Sequence, residues 1–255
     1  MDAESKSGNR VKELSIWLFC ICRNEARLMP YFLKHYAPWV TKFVFFDELS
    51  DDGTRDIIRS CHTAELRDWP GSCGINDDQM LTFANEAWKE ARGKADWIIW
   101  VDADEFLYHP NIIGVLQRYL HEDIDVPQIQ GYTMVSKAFP TTQGQIYDEV
   151  RRGFPDGIWS KPAIFRRHMW WTVGRHGVDY TRFNPKSSPH AEIKLLHYRA
   201  LGMDYIRWRH QRNWERVPER CRAMNLGTNT APDAVGHHSV SWFEEVVGKE
   251  WPEVL

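Results

Sequence analysis

Three times in its first 110 residues the chain runs through a short, unbroken apolar stretch and then stops abruptly on charge. LSIWLFCIC runs into Arg23-Asn24-Glu25, KFVFF into Asp47, and DWIIWV into Asp102. A strand with one wet face alternates apolar and polar residues; a strand covered on both faces does not. Between the runs lie segments with helical spacing: RLMPYFLKHYAPW, TRDIIRSCH with Thr54 as a cap, and DDQMLTFANEAWKEARGKA. In the last, Met80, Phe83, Ala84, Ala87 and Trp88 form one stripe and Gly93 stops it. The pattern predicts an α/β fold with a mostly parallel, doubly wound sheet over residues 13–110. In such sheets ligands collect at the carboxyl ends of the strands. Neither G-x-G-x-x-G nor G-x-x-x-x-G-K-[ST] occurs, which argues against ordinary dinucleotide and P-loop sites.

The second half reads differently. IQGYTMVSKAF and IWSKPAIFRR alternate like half-exposed strands, and KLLHYRA is a short strand ending at His197. Residues 111–200 are expected to complete the domain as its acceptor half. Residues 201–255 read as a helical extension: DYIRWRHQRNWERV stops before Pro218, a loop follows from Asn225, and SWFEEVVGKEW closes the chain. Arg207, Arg209, Arg212 and Arg216 make the first of these helices basic. A solvated face is the plain expectation, and contact with an anionic membrane surface the alternative. Residues 1–12 are polar and predict a disordered tail without the apolar core of a signal peptide. No apolar run is long enough to span a bilayer. Five cysteines with no C-x-x-C pair suggest neither a disulfide framework nor a zinc site, so a reducing, cytoplasmic setting is expected. A net charge of −3 gives no global field toward nucleic acid.

The chemistry concentrates at Asp102-Ala103-Asp104-Glu105. Carboxylates this close repel and raise one another's pKa unless a cation neutralises them. Hard oxygen ligands at a strand end suit magnesium or manganese, which keep waters and bridge to substrate phosphates. A solvated acidic turn is the competing reading.

In order along residues 14–200, the segments CICRNEARLMPYFLKHY, FVFFDELSDDGT, NEAW, WIIWVDADEFL, KPAIFR and LLHYR resemble the family-2-like glycosyltransferases of GT-A fold. The resemblance is to the subgroup with a C-x-x-[KR]-N-E opening and a D-x-D-E-F motif. It implies a GT-A nucleotide-sugar-binding domain that moves a sugar from a nucleotide-sugar donor, a UDP-sugar by expectation, to a hydroxyl of a glycan or glycolipid. It also implies polysaccharide biosynthesis, at the inner face of a membrane, as a setting. Arg23, Asn24, Glu25 and Asp47 would then hold base and ribose, with Gln79 and Asn85 touching the donor. Asp102 would contact the ribose or the metal and Asp104 would hold the metal directly, completed by His197, an imidazole ligand that favours manganese. Lys161 and Arg199 would meet the diphosphate. Glu105 and Phe106 would buttress the loop, and Asp51 and Asp52 would serve the turn at Gly53. Glu25 reads equally well as a charge favoured by a helix N-terminus.

An inverting transferase also needs a general base. The Glu-Asp pair that supplies it in such enzymes is missing here, since Glu122-Asp123 and Glu244-Glu245 are badly placed. Asp156, Asp179 and His176 are the candidates by position. Trp159, Trp170, Trp171 and Tyr180 are the aromatic candidates for stacking on acceptor sugars, with core packing as their other use. Two further readings stay open: a phosphoryl- or nucleotidyl-transfer enzyme using the same acids with two metals, and a nucleotide-sugar-binding module without catalysis.

Overall fold

The computed structural model describes residues 13–69, 77–172, 175–217, 219–223, 231, 234–236 and 238–255. The expected tail, Cys73 and most of the expected loop from Asn225 lie outside these. Strands β1 (Ile16–Cys22) and β2 (Lys42–Asp47) form where the apolar runs predict them, joined by helix α1 (Met29–Tyr36). Helix α2 (Thr54–Arg59) leads to β3 (Ala64–Asp68), and α3 (Asp77–Ala87) to β4 (Trp97–Trp100). There follow β5 (Glu105–Tyr108), α4 (Ile112–His121), β6 (Ile129–Ser136), β7 (Gly153–Pro155), β8 (Ile164–Phe165) and β9 (Ile193–Leu201). The chain ends with α5 (Met203–Arg216), α6 (Glu219–Ala223) and α7 (Val240–Gly248).

The first sheet has the order β3-β2-β1-β4-β8, parallel throughout except for β8 at the edge. The second has the order β5-β9-β6-β7. The chain leaves β1 toward β2 and β3, then returns to the other side of β1 at β4. That reversal opens a crevice between the carboxyl ends of β1 and β4, where α/β sheets take their ligands.

Several expectations need correcting. The segment AELRD gives no apolar signal yet forms β3, because an edge strand needs only one paired side and tolerates charge on the other. Thr54 does not cap α2. Gly53 holds the cap position at φ 93°, while the Asp52 carboxylate accepts the Thr54 N–H at 3.1 Å. The run DWIIWVDADEFLY is two strands, not one. A turn between them is closed by Glu105 N–H to the Asp102 carbonyl at 3.0 Å, and by Asp102 N–H to the Glu105 carboxylate at 2.9 Å. It sends β5 into the second sheet. In IWSKPAIFRR only Ile164 and Phe165 pair as a strand; residues 157–159 make a 3-10 turn whose first N–H bonds go to Asp156. Proline at 162 has no N–H to give a ladder.

The first sheet is buried on both faces, which is why its strands do not alternate. On one side Leu18, Phe45 and Phe32 of α1 meet Phe106 and Leu196 of the second sheet. On the other, Phe19, Val44, Trp88 and Trp100 pack with Phe165 and Trp171. Each such side chain contributes about 1.5–3 kcal/mol on burial. The final helix is no loose extension: Phe243, Val246 and Val247 of α7 bury against Val135, Ala200 and Ile206. Among the described residues no helix is long and apolar enough to cross a membrane.

Candidate functional site

The loops after β1 and β2 are stitched to each other. Asn24, at φ 54°, donates through Nδ2 to Asp51 at 2.7 Å and accepts the Asp51 N–H at 2.8 Å. Asn24 N–H reaches Ser50 Oγ at 2.8 Å, and Glu25 N–H reaches Thr54 Oγ1 at 2.7 Å. Asp47 is fully buried and closes this loop: it accepts from Ser50 N and Oγ and from Arg55 Nη1 at 2.6 Å. Arg23 Nη1 donates to the Glu48 carbonyl at 2.7 Å. Arg23, Asn24, Glu25 and Asp47 thus all stand at the crevice edge. Asp47 and Asn24 are bonded into the loop walls. Gln79 is exposed on the first turn of α3. Asn85 accepts the Trp171 N–H at 2.9 Å, which ties it to a loop.

On the other side of the crevice the acid run meets cations. Asp102, with 36% of its side chain exposed, accepts from Arg175 Nη2 at 2.7 Å and faces Lys161 Nζ at 3.9 Å. Lys161, almost fully buried, forms its shorter ion pair with Glu105 at 2.5 Å. Burial opposes the ionisation of Asp102, but the charges of Arg175 and Lys161 outweigh it and hold its carboxyl below the ordinary value. In Glu105 burial wins, and its pKa is raised despite Lys161. Glu105 therefore braces the turn, as expected.

Asp104 is buried beneath helix α5. Its Oδ2 is 3.0 Å from Arg209 Nη2 and 3.4 Å from His197 Nε2. Against the cost of burial, Arg209 and His197 hold its carboxyl well below the usual range. Arg209 also reaches Glu25 at 3.2 Å and donates to Tyr205 Oη at 2.9 Å. Burial nevertheless pushes the Glu25 pKa up to about 7. Arg199 lies beside this group; burial and the charge of Arg209 lower its pKa to about 10. His197 does not end its strand but lies within β9, paired with Glu105 on β5. Its imidazole lies against the Trp159 ring, centroids 3.7 Å apart. Gly131 makes that stack feasible, because any side chain there would strike the Trp159 backbone.

The repulsion inferred among the acids is thus met from within. Glu25, Asp102, Asp104 and Glu105 face Lys161, Arg175, Arg199 and Arg209. Among the described residues no three His, Cys, Asp or Glu side chains converge on one point as a metal cage. The sequence reading missed Arg175 and misread α5. Arg209, Arg212 and Arg216 turn inward, Arg212 to the Asn24 carbonyl at 3.2 Å and Arg216 to the Glu48 carboxylate at 2.8 Å. Only Arg207, bonded to Glu244, behaves as the solvated face expected. The spacing 209, 212, 216 follows one face of a helix, and that was the available signal.

The three candidate bases separate. Asp156 is buried and takes the Ile158 N–H at 3.1 Å and the Thr133 hydroxyl at 2.9 Å. Asp179 accepts from Thr181 and lies in a separate cavity of about 300 Å³ lined by Asn85, Trp170, Trp171 and Arg182. His176 stands beside the acid cluster. Its Nδ1 is 2.9 Å from the Ile158 carbonyl, which can only accept, so Nδ1 carries the proton and Nε2 presents a lone pair. Burial, with the charges of Lys161 and Arg175, lowers its pKa. Of the aromatic candidates, Trp159 and Trp171 are buried, Trp170 lines the second cavity, and Tyr180 is 66% exposed.

No protein-family model matches the chain. Over 111 residues it is 29% identical to a glycosyltransferase family 92 protein of Oryza sativa subsp. japonica, which covers 39% of this chain and 18% of that protein. The chain therefore spans about a fifth of the length of that relative. Among solved structures, S. aureus TarS residues 1–349 in complex with UDP-GlcNAc overlays with a TM-score of 0.46 at 12% identity, covering 86% of this chain and 71% of that one. Mannosyl-3-phosphoglycerate synthase from Rubrobacter xylanophilus gives 0.33 at 20% identity, covering 51% and 44%. Overlays this loose leave the site to be read from its own residues. The chain is a mixed α/β protein with a mostly parallel central sheet, similar in sequence to a glycosyltransferase.

Proposed function

We propose that the chain is a metal-dependent glycosyltransferase that moves a sugar, with inversion, from a UDP-sugar to a hydroxyl of a glycan or glycolipid. The observation that carries this reading is the meeting of Asp102 and Asp104 with buried cations at the switch between β1 and β4. It is supported by the similarity to a protein named as a glycosyltransferase.

Asp104 and His197 have the chemistry to hold manganese or magnesium. Two donors bound side by side to an ion at about 2.1 Å stand about 3 Å apart, and Asp104 Oδ2 and His197 Nε2 are 3.4 Å apart. Two protein ligands suffice where phosphates and waters complete the shell. The ion, when bound, takes up charge that develops on the leaving diphosphate. Asp102, kept ionised and oriented by Arg175 and Lys161, is the one acid of the group open enough to accept from a donor hydroxyl or to join the ion. Asn24, Glu25 and Arg23 form the opposite wall with Asp47 behind them, and Gln79, exposed on α3, is assigned a further donor contact. His176 takes the proton from the acceptor hydroxyl through Nε2. Asp156 and Asp179 do not share that place.

Thermal shift with UDP and manganese, each alone and together, against GDP and CMP tests the donor. The reading expects the largest rise with UDP plus manganese, and loss of that rise in Asp104→Asn, which keeps the shape of the buried side chain. His176→Ala should retain UDP binding and slow transfer by about 10²–10⁴-fold. Equal stabilisation by every nucleotide, with or without metal, would sink the proposal.

A further inference from the structure

Helix α5 lies across the carboxyl ends of β1 and β2 and lowers three arginines onto them. Arg209 reaches Asp104 and Glu25, Arg212 the Asn24 carbonyl, and Arg216 the Glu48 carboxylate. Arg209 is the one aimed at the acid that the proposed function gives to the metal. Its Nη2 lies 3.0 Å from Asp104 Oδ2, the same oxygen that faces His197 at 3.4 Å. A divalent ion joining Asp104 to His197 and this guanidinium are two cations competing for the same oxygen.

The neighbourhood also leaves a buried donor without an acceptor on this side. Arg199 stands beside Arg209, and the acids acting on it, Asp104 and Glu25, are the two that Arg209 already holds. Its Nε is buried and has no hydrogen-bond acceptor. Two guanidinium groups thus share two carboxylates, and a buried donor is left without a partner, which is unfavourable. Taking Asp104 away from this group without replacing it would leave the arginines worse off still. A diphosphate supplies acceptors in the geometry that guanidinium groups bind best.

We infer that Arg209 is a displaceable counter-charge: in the free protein it fills the metal's place on Asp104, and it passes to a phosphate oxygen of the nucleotide when metal and nucleotide arrive together. Throughout the exchange Glu25 and Tyr205 keep hold of the guanidinium base. The inference rests on the metal reading of the proposed function. It goes beyond that reading by making metal and nucleotide depend on each other. A metal alone takes Asp104 from Arg209 and leaves it only Glu25 and Tyr205; a nucleotide diphosphate replaces the acceptor it has lost. Coupling of this kind is reciprocal between the two ligands.

The test titrates manganese into the full chain, following the free ion by electron paramagnetic resonance, with and without saturating UDP. The parent should bind manganese at least tenfold more tightly with UDP present. Arg209→Gln should bind manganese alone at least fivefold more tightly than the parent, and UDP should then improve that binding by less than threefold. Arg209→Lys, a point charge that cannot bridge both acids, repeats the test should the glutamine variant fail to fold; it too should bind manganese alone more tightly than the parent. If manganese binding depends on Asp104 but neither Arg209 variant changes it, the inference is overturned and the metal site stands. If no form binds manganese, with or without UDP, the metal reading falls and takes the inference with it.

Discussion

The two walls of the crevice are built on different principles. The wall formed by the loops after β1 and β2 is stitched loop to loop by hydrogen bonds: amide, hydroxyl and carboxylate groups 27–29 residues apart bond in matched pairs. The wall formed by Asp102, Asp104 and Glu105 is ionic, and its partners come from residues 161, 175, 197 and 209. Matched donor–acceptor pairs are directional and favour one arrangement of the edge. Ion pairs around a shared carboxylate can be exchanged for other ions of like sign. The first wall is suited to positioning a ligand, and the second to changing partners with it.

The comparison can be broken most decisively at Lys161. Lys161→Met should cost about 3–5 kcal/mol in a denaturant titration, because Glu105 is left buried and unpaired. Replacing Glu105 as well, with Gln, should recover much of that. A loss below 1 kcal/mol would mean that the ionic wall is solvated.

The next probe is the junction of α1 with the second sheet. His35 Nε2 donates to the Leu107 carbonyl at 2.8 Å, and burial lowers its pKa from 6.5 to about 4 despite that bond. Between those values the unfolded chain binds the extra proton and the folded one does not. The stability is therefore complete above pH 6.5 and is lost as pH falls toward 4. The shift is worth about 3 kcal/mol. His35→Phe should flatten the dependence of stability on pH across this window by that amount; an unchanged slope would place the titration elsewhere, with His210, also lowered to about 4, the first suspect.

In the stitched wall, Asn24→Ala removes two bonds to Asp51 and should cost about 1–2 kcal/mol. Asn24→Gly should cost no more than Ala, since glycine accepts the φ of 54° without penalty. The smallest effect is expected at Arg207→Ala, which breaks an exposed pair with Glu244 and should change stability by less than about 0.5 kcal/mol.

Much of the first wall was legible beforehand. Apolar runs ending in Asn24, Asp47 and Asp102 predict buried strands and their exits, because burial on both faces leaves a local mark on composition. The bracing role of Glu105 came from the resemblance to a known family, not from composition. What stayed hidden was which cation meets which acid. Arg209 and Arg175 lie 105 and 73 residues from the carboxylates they serve at Asp104 and Asp102, and beyond the one-face spacing of 209, 212 and 216 nothing local distinguishes an inward arginine from a solvated one. Edge strand β3 escaped because its pairing needs no apolar face.

By itself, then, the order of residues determined an α/β chain with a parallel sheet and a carboxylate-rich strand exit, since helix and strand periodicities and two-sided burial are local properties. The tertiary structure alone decided that the carboxylates are answered by lysine and arginine, that Asp179 lies in a separate cavity, and that α5 faces inward. Ion pairing depends on distances of a few ångströms between side chains far apart along the chain, and those distances exist only once the sheets have closed.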